Sequence, residues 1–310
     1  MNTISPKKQQ FENLMQMMSA FPNEQSAIDH FTAIRWKNGA FCPLCGSTKV
    51  YHFSDQRTHK CGDCRKRFSI KVGTIFEDSK IELRKWMMAI WLITAHKKGI
   101  ASTRLAKDIG VTQKTAWFML HRLRYAAQTK SFNRQLEGEI DTDETFIGGK
   151  EKNKHASKRT GGKQGGAGKI AVMGILEREG KLRTGTIKNL AALNVQSAIR
   201  QNVAAGSLVL TDEHRSFQGL GRDDIHHTVN HSAGEYVRKF YIHTNGIESV
   251  WALFKRQIAC THHWMSPKHL SGYLNEMTWG FNLRNIGDGD RVNALLHQTA
   301  GRLTNKELIA

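Results

Sequence analysis

Apolar residues recur at helical spacing in three stretches of the N-terminal third of the chain. The stretches 11–21 and 27–34 each place an apolar side chain every three or four positions, and Pro22 lies between them. A third stretch, from Trp86 to Ile93, has the same period. This period predicts amphipathic helices whose apolar stripes pack into a core. We therefore expect two short helices before residue 36 and another around residue 90.

Further along the chain the pattern changes to short apolar runs that are typical of strands. Such runs cover residues 136–147, 170–176, 182–187, 207–212 and 225–229. Helical spacing returns in residues 190–204, 245–254 and 269–283. Strands that alternate with helices in this way indicate an α/β domain.

Residues 102–120 have the features of a helix–turn–helix. Ser102 and Thr112 are residue types that cap helix N-termini, and each precedes an apolar helical pattern. Gly110 lies between the two patterns and supplies the tight turn that this motif requires. The alternative is an ordinary helical hairpin with no role in DNA binding.

The same helical pair predicts where DNA would be contacted. In helix–turn–helix proteins the second helix enters the major groove, with its N-terminal residues toward the bases. Here those residues are Gln113 and Lys114. The basic stretch that follows, including Arg122, adds positive charge for contacts with the DNA backbone.

The charge of the whole chain also points to a polyanionic partner. It contains 46 lysine and arginine residues against 27 aspartate and glutamate residues, which gives a net charge of +19 and a pI near 9.9. An excess of this size is typical of proteins that bind nucleic acid. The apolar content of 39% excludes a disordered chain.

Membrane and secreted proteins do not fit the sequence. No apolar run approaches the roughly 18 residues that a membrane-spanning helix needs. The first ten residues lack the apolar core of a signal peptide. We therefore expect a cytoplasmic protein without a membrane partner.

Four of the five cysteines have the spacing of a zinc site. Cys42 and Cys45 form one Cys-x-x-Cys pair, and Cys61 and Cys64 form a second pair after 15 intervening residues. Two such pairs at this distance are typical of a zinc ribbon, in which four thiolates hold one structural Zn²⁺. A redox role would need only one pair. Cys260 has no partner in this scheme, and we expect it to be a buried thiol.

Aspartates lie within one predicted strand and at the end of another. Strand alternation puts Asp141 and Asp143 on one face, and Asp212 ends the run 207–212. The predicted helix from residue 245 adds Glu248 and, two turns later on the same side, Lys255. This order of elements fits a ribonuclease-H-like domain, in which converging carboxylates bind the oxygen-preferring Mg²⁺.

At these residues the chain resembles the DDE transposases of bacterial insertion sequences, in the branch with an N-terminal zinc ribbon and a helix–turn–helix. The resemblance covers nearly the whole chain. Its motifs are the two Cys-x-x-Cys pairs, Gly73-Thr74-Ile75-Phe76 before Trp86, Thr142-Asp143-Glu144-Thr145 with Gly148-Gly149, Thr211-Asp212-Glu213-His214-Arg215, and His243-x-Asn245-x-x-Glu248-x6-Lys255-Arg256.

The resemblance implies specific roles for the acidic residues. By motif position Asp143 and Asp212 are the two aspartates and Glu248 is the third metal ligand, with 35 residues (213–247) between the last two. Asn245 is the alternative for the third position, and Asp141 is the alternative for the first. Lys255 would hold a phosphate close to the metal.

The resemblance also implies an activity and its partners. We expect hydrolysis of DNA at the ends of an insertion sequence, followed by attack of a 3′-hydroxyl on target DNA. Mg²⁺ would be the catalytic ion, with Mn²⁺ as a substitute, beside the structural Zn²⁺. The partners would be the terminal inverted repeats of the element, target DNA and further copies of the chain on DNA, in the nucleoid of a bacterial cytoplasm.

The predicted fold is α/β, with a ribonuclease-H-like catalytic core preceded by a small zinc ribbon and a helical helix–turn–helix domain. The expected segments are N-terminal helices (1–35), zinc ribbon (36–80), helix–turn–helix (81–130), catalytic domain (131–290) and a C-terminal tail (291–310). Two other functions remain open: a DNA-binding regulator with a non-catalytic core, and a ribonuclease-H-like nuclease.

Overall fold

The computed structural model describes residues 10–128, 134–149, 153, 155–159, 168–222, 225–229 and 243–310. The chain divides into two compact units, one made of Met1–Gln128 with Asn285–Ala310 and one made of Thr129–Arg284. Within the described ranges, no helix is long and apolar enough to cross a membrane.

The first unit is mainly helical and contains one small antiparallel sheet of three strands in the order β1-β2-β3. Its elements up to residue 128 are α1 (Leu14–Ala20), α2 (Glu24–Arg35), β1 (Val50–His52), β2 (Thr58–Cys61), β3 (Arg67–Ser69), α3 (Leu83–Ala95), α4 (Ser102–Ile109) and α5 (Gln113–Ala126). The helices predicted before residue 36 and around residue 90 are all present.

The two helices predicted in residues 102–120 are present as α4 and α5. Gly110 has a φ angle of 63°, in the left-handed region that glycine adopts without strain, and it ends α4. Thr112 caps α5, because its side chain accepts a hydrogen bond from a backbone N–H of the first turn. The prediction that Ser102 caps α4 is wrong. Ser102 is the first residue of that helix, and its hydroxyl instead accepts a hydrogen bond from Nε2 of Gln113 at 2.9 Å.

The second unit is built on a five-stranded sheet in the order β6-β5-β4-β7-β8. Strands β4, β5 and β6 are antiparallel, whereas β4, β7 and β8 are parallel. The elements are β4 (Glu139–Ile147), β5 (Ile170–Glu177), β6 (Leu182–Ile187), α6 (Ala192–Asn202), β7 (Leu208–Asp212), β8 (Ile225–Val229), α7 (Asn245–Gln257) and α8 (Leu270–Asn282). Three antiparallel strands, with two further strands parallel to β4 added beside it, are the strand order of ribonuclease-H-like domains. The predicted fold class is therefore confirmed.

Helices cover both faces of this sheet. On one face α6 packs through Val195 and Ile199 against apolar side chains of β4, β5 and β7. On the other face α7 and α8 pack against the alternate residues of β4 and β5, including Ile147 and Val172. Strand β5 therefore buries both of its faces, which explains why it is an almost continuous apolar run.

A glycine in β5 permits the closest contact between this sheet and α7. A β-carbon at Gly174 would lie 2.5 Å from Cζ2 of Trp251 and 2.8 Å from Cδ1 of Ile247. Both of those side chains are buried on the inner face of α7. The helix axis can approach the sheet here only because position 174 has no side chain.

The C-terminal residues belong to the first unit. Residues 291–310, expected as a tail, lie in α9 (Asp288–His297) and α10 (Asn305–Ile309) and the segment that joins them. Helix α9 packs against α2 and α3, and Asn293 hydrogen-bonds Nε2 of the buried His30 at 2.9 Å. The backbone N–H of Ile75 donates to the carbonyl of Thr299 at 2.9 Å. Apolar burial and these hydrogen bonds give the segment its fixed position.

The close approach at Gly174 predicts a local loss of stability on substitution. Gly174→Ala forces Trp251 and Ile247 to move, and we expect a destabilisation of about 1–3 kcal/mol. Thermal unfolding followed by circular dichroism should show a melting temperature lower by several degrees. Gly185→Ala on neighbouring β6 is the control, because a β-carbon there meets no atom within 4 Å. Equal stability of the two variants would contradict this account of the packing.

Candidate functional site

The four predicted cysteine ligands come together at one point of the first unit. The sulfurs of Cys42 and Cys64 are 3.7 Å apart, and those of Cys45 and Cys61 are 3.6 Å apart. All four sulfurs lie within 4.8 Å of one another. Four sulfurs each about 2.3 Å from a central Zn²⁺ would be about 3.8 Å apart in a regular tetrahedron. The observed spacing therefore fits a structural zinc site.

A backbone hydrogen bond favours the thiolate form of Cys61, which is the form that zinc binds. The N–H of Cys64 donates to the sulfur of Cys61 at 3.4 Å, and this hydrogen bond is the main cause that lowers the pKa of Cys61 to about 6. Phe68 packs beside the buried Cys42 and Cys61, so the sulfurs are partly shielded from water. The prediction that Cys260 is a buried thiol is wrong, because that residue is exposed.

In the second unit, neighbouring strands carry the two predicted aspartates. Strands β4 and β7 are parallel, and their ladder ends where Asp141 pairs with Leu210. Asp143 and Asp212 each lie two residues beyond that pair, and the charge of Asp212 contributes to the raised pKa of Asp143, so the two side chains are close. Both side chains are on the face that α7 covers, since Ile140 and Val209 point into the core on the other face.

Helix α7 brings Glu248 to the same face of the sheet. Its first turn carries Glu248, whose Oε1 accepts a hydrogen bond from Oγ1 of the buried Thr244 at 2.8 Å. Contact with β5 at Gly174, the residue paired with Asp143, fixes where this turn lies. The structure thus brings Asp143, Asp212 and Glu248 into one neighbourhood.

The nearby carboxylates affect the pKa of Asp143. Burial raises the pKa of Asp143 to about 7, and repulsion from Glu144, Asp212 and Glu248 contributes to the rise. The carboxylates are nevertheless more widely spaced than the cysteines. Among the described residues, only the four cysteines form a group whose ligand atoms all lie within 4.8 Å. The acidic residues therefore form a wider cluster whose charges repel one another.

Glu144 is a member of this cluster that the sequence reasoning did not assign. Burial raises its pKa to about 7, and the charge of Asp212 adds to the rise. Its Oε1 is 3.9 Å from Nδ1 of His214, in the Asp-Glu-His motif after β7. Strand alternation places the Cβ of Glu144 on the face opposite that of Asp143. Its position beside Asp143 in an acidic run of a basic chain was the available signal.

Asp141 occupies a structural position beneath the start of α7. Its side chain is completely buried, and its Oδ1 accepts a hydrogen bond from Nε of Arg178 at 2.9 Å. The same guanidinium donates to the carbonyl oxygen of His243 at 2.8 Å. A β-carbon at Gly246 would lie 2.6 Å from Oδ2 of Asp141. Asp141 and Arg178 therefore fix the backbone at the start of α7. Asp141 is not exposed to a substrate, as a catalytic metal ligand would be.

The other two residues predicted on α7 are both exposed. Asn245 is the first residue of the helix, and its carbonyl accepts a hydrogen bond from the hydroxyl of Ser249 at 2.8 Å. Lys255 lies near the end of the helix and lines a groove of about 1040 Å³. Thr244, and not Asn245, occupies the capping position of α7.

Two of the three predicted DNA contacts are accessible in the first unit. Gln113 and Lys114 begin α5 and are exposed. Gln113 also joins α5 to α4 through its hydrogen bond to Ser102. The N-terminal end of the second helix is therefore exposed to solvent.

Arg122 does not fit the expected DNA contact. Its side chain is buried, and its guanidinium donates to the backbone carbonyls of Ile75, Glu77 and Leu303 at 2.7–3.1 Å. Burial is also the main cause that lowers the pKa of Arg122. This side chain connects α5 to two other backbone segments of the first unit, and its hydrogen-bond donors are used inside the protein.

The cysteine geometry predicts one tightly bound zinc ion. Replacing Cys45 and Cys61 together by alanine should remove zinc from the purified protein and unfold the small sheet locally, because structural zinc supplies folding free energy. Metal analysis by mass spectrometry measures the stoichiometry. Cys260→Ala is the control and should keep its zinc. Stoichiometric zinc in the double variant would contradict the assignment.

Two family models match the chain and cover both units. Residues 22–67 match the transposase zinc-ribbon domain. Residues 135–282 match the ISXO2-like transposase domain. The second match coincides with the five-stranded sheet and the helices α6, α7 and α8. It therefore covers every carboxylate of the acidic cluster.

Two relatives agree with these matches, whereas no solved structure is significantly similar to the chain. A Halobacterium salinarum protein described as an uncharacterized protein in transposable element ISH50 is 27% identical over 84% of this chain and 91% of its own length. A Haemophilus influenzae protein described as an uncharacterized transposase-like protein is 31% identical over 33% of this chain and 81% of its own length. The chain belongs to the IS1595 family of insertion-sequence transposases.

Proposed function

We propose that this protein is a Mg²⁺-dependent DNA transposase that cleaves strands at the ends of its insertion sequence and joins them to target DNA. The observation that carries the proposal is the convergence of Asp143, Asp212 and Glu248 on one face of a ribonuclease-H-like sheet. Membership of a transposase family makes DNA the substrate class.

The chemistry of these side chains fits a divalent cation. Their oxygens are the hard ligands that Mg²⁺ prefers, with Mn²⁺ as a substitute. Burial is the main cause that raises the pKa of Asp143, and repulsion from Glu144, Asp212 and Glu248 adds to the rise. A cation would offset that repulsion. When bound, Mg²⁺ stabilises the charge that develops on the attacking and leaving oxygens of a phosphoryl displacement.

In the proposed reaction each step exchanges one phosphate ester bond. The oxygen of a water molecule bonds to phosphorus at the end of the element, and the bond to the 3′-oxygen breaks, which leaves a free 3′-hydroxyl. That hydroxyl then attacks a phosphate of target DNA and displaces a target 3′-oxygen. Asp143, Asp212 and Glu248 would hold the Mg²⁺, whose positive charge would attract the scissile phosphate. No redox partner or external energy source is needed.

Other parts of the chain bind the DNA in this proposal. Lys255 follows Glu248 by two helical turns and is exposed, so its ammonium group can hold a phosphate near the acidic cluster. The first unit would recognise the terminal inverted repeats through Gln113 and Lys114. Several copies of the chain would assemble on the two ends, in the nucleoid of the cell.

One assay separates this proposal from the alternatives. The purified protein is incubated with Mg²⁺ and DNA that carries the element ends or a scrambled sequence. A transposase cleaves at the ends and then joins the product to a target plasmid. A regulator binds the ends without cleavage, and a nuclease cuts branched or scrambled DNA equally well.

The identity of the third ligand gives the sharpest prediction. Glu248→Gln keeps the shape of the side chain and removes its charge, so cleavage should fall by several orders of magnitude while binding to the ends is retained. Asn245→Ala should reduce cleavage much less, because a neutral amide is a poorer ligand for Mg²⁺ than a carboxylate. Glu179→Gln, in an exposed turn, controls for loss of charge.

The opposite result would reassign the site. Normal cleavage by Glu248→Gln with an inactive Asn245→Ala would make Asn245 the third member beside the two aspartates. If Asp143→Asn and Asp212→Asn also cleave normally, the catalytic proposal fails and the regulator takes its place. Binding to labelled end DNA, measured by gel shift for every variant, distinguishes these cases from misfolding.

Lys114 gives a separate prediction for recognition. If Lys114 contacts a base, Lys114→Ala should weaken binding to the end sequence by about tenfold and leave binding to random DNA nearly unchanged. Lys306→Ala in α10 removes the same charge from another exposed site and serves as control. Fluorescence anisotropy at two salt concentrations measures both affinities. Equal losses on both DNAs would make Lys114 a phosphate contact.

A further inference from the structure

An open groove of about 1040 Å³ runs along the second unit beyond the acidic cluster. Its walls are the turn at Gly148 and Gly149 after β4 and the segment that follows α7. Lys255 lines it, so the groove begins on the same helix that carries Glu248. The groove therefore lies two helical turns along α7 from Glu248.

Trp264 is the unusual side chain of this groove. It is 62% exposed, whereas the other six tryptophans of the chain are buried or half-buried. An indole carries a large apolar surface, and leaving it in water forgoes stabilisation that burial would give. An exposed tryptophan on the wall of a groove is therefore placed for a ligand with a flat apolar face.

The backbone before Trp264 departs from ordinary helix in two ways. Helix α7 continues into a π-helical turn, Ile258–His262, and π turns occur mostly at functional sites. His263 then has a φ of 58°, in the left-handed region that non-glycine residues rarely adopt. These two features redirect the chain and bring Trp264 to the groove.

We propose that Trp264 stacks on an unpaired base of the element end while Lys255 holds an adjacent phosphate. The inference rests on the proposed function and names a contact that this function leaves open. A base inside a duplex has both faces covered by its neighbours, so it meets an indole only after it leaves the stack. Bases have the flat apolar faces that tryptophan binds, and the lysine in the same groove favours a polyanion.

Photochemical crosslinking tests the contact without requiring catalysis. End DNA with 5-iodouracil at single positions around the cleavage site is irradiated with the full-length protein, and mass spectrometry locates the crosslinked residue. We expect a crosslink to Trp264 from one or two positions, retained in Trp264→Phe and lost in Trp264→Ala. Crosslinks confined to other residues would overturn the proposal, and this result is independent of cleavage.

Cleavage rates supply the second measurement. Stacking on one aromatic side chain contributes about tenfold or more, so Trp264→Ala should cleave paired ends about tenfold more slowly. Trp264→Phe should stay near the wild-type rate. Leu193→Ala, another exposed apolar residue of the same unit, controls for folding and should have no effect.

A mismatched substrate distinguishes stacking from a structural role. Mismatches at the crosslinked position lower the cost of unpairing, so they should restore most of the rate of Trp264→Ala. A wild-type rate for Trp264→Ala on paired ends, or no gain from mismatches, would overturn the inference. If wild-type protein crosslinks through Trp264 but cleaves no DNA, the proposed reaction fails while the base contact stands.

Discussion

The contact between α7 and the sheet beneath it is the constraint on which the candidate active site depends. Glu248 can reach the two aspartates only if the helix lies directly on β4 and β5, and the glycines at 174 and 246 make that approach possible. Underneath, the buried pair of Asp141 and Arg178 holds the carbonyl of His243, just before the helix begins. Close packing at two glycines and one buried ion pair therefore set the position of a residue that itself remains exposed.

This arrangement holds together groups that repel one another. A buried carboxylate with a pKa near 7 and a second one beside it oppose the folded state whenever both are ionised. Packing of α6 and α7 on the two faces of the sheet supplies the opposing stabilisation. The acidic cluster therefore lowers the stability of the fold locally, as is common where ionisable groups are held together at functional sites.

Much of this architecture could be predicted because it is local in sequence. Periodicity predicted the helices, alternation placed Asp141 and Asp143 on one face of a strand, and cysteine spacing predicted the zinc ligands. Contacts between distant segments could not be predicted in this way. Nothing in the sequence around Arg122 indicates that its acceptors are Ile75, Glu77 and Leu303, so the sequence pattern alone suggests a DNA contact for this basic residue. The C-terminal helices were missed for the same reason, since their partners are about 200 residues or more away.

The arginines show why net charge alone cannot map a DNA-binding surface. Arg35 is partly buried and donates to the carbonyls of Ile70 and Val72, and burial lowers its pKa to about 10. Arg124 is almost completely buried. A planar guanidinium with five donors can satisfy several backbone carbonyls at once, whereas a lysine ammonium keeps more of its hydration at the surface. Part of the +19 charge therefore stabilises the fold, and exposed lysines such as Lys114 and Lys255 are better markers of where the DNA backbone would lie.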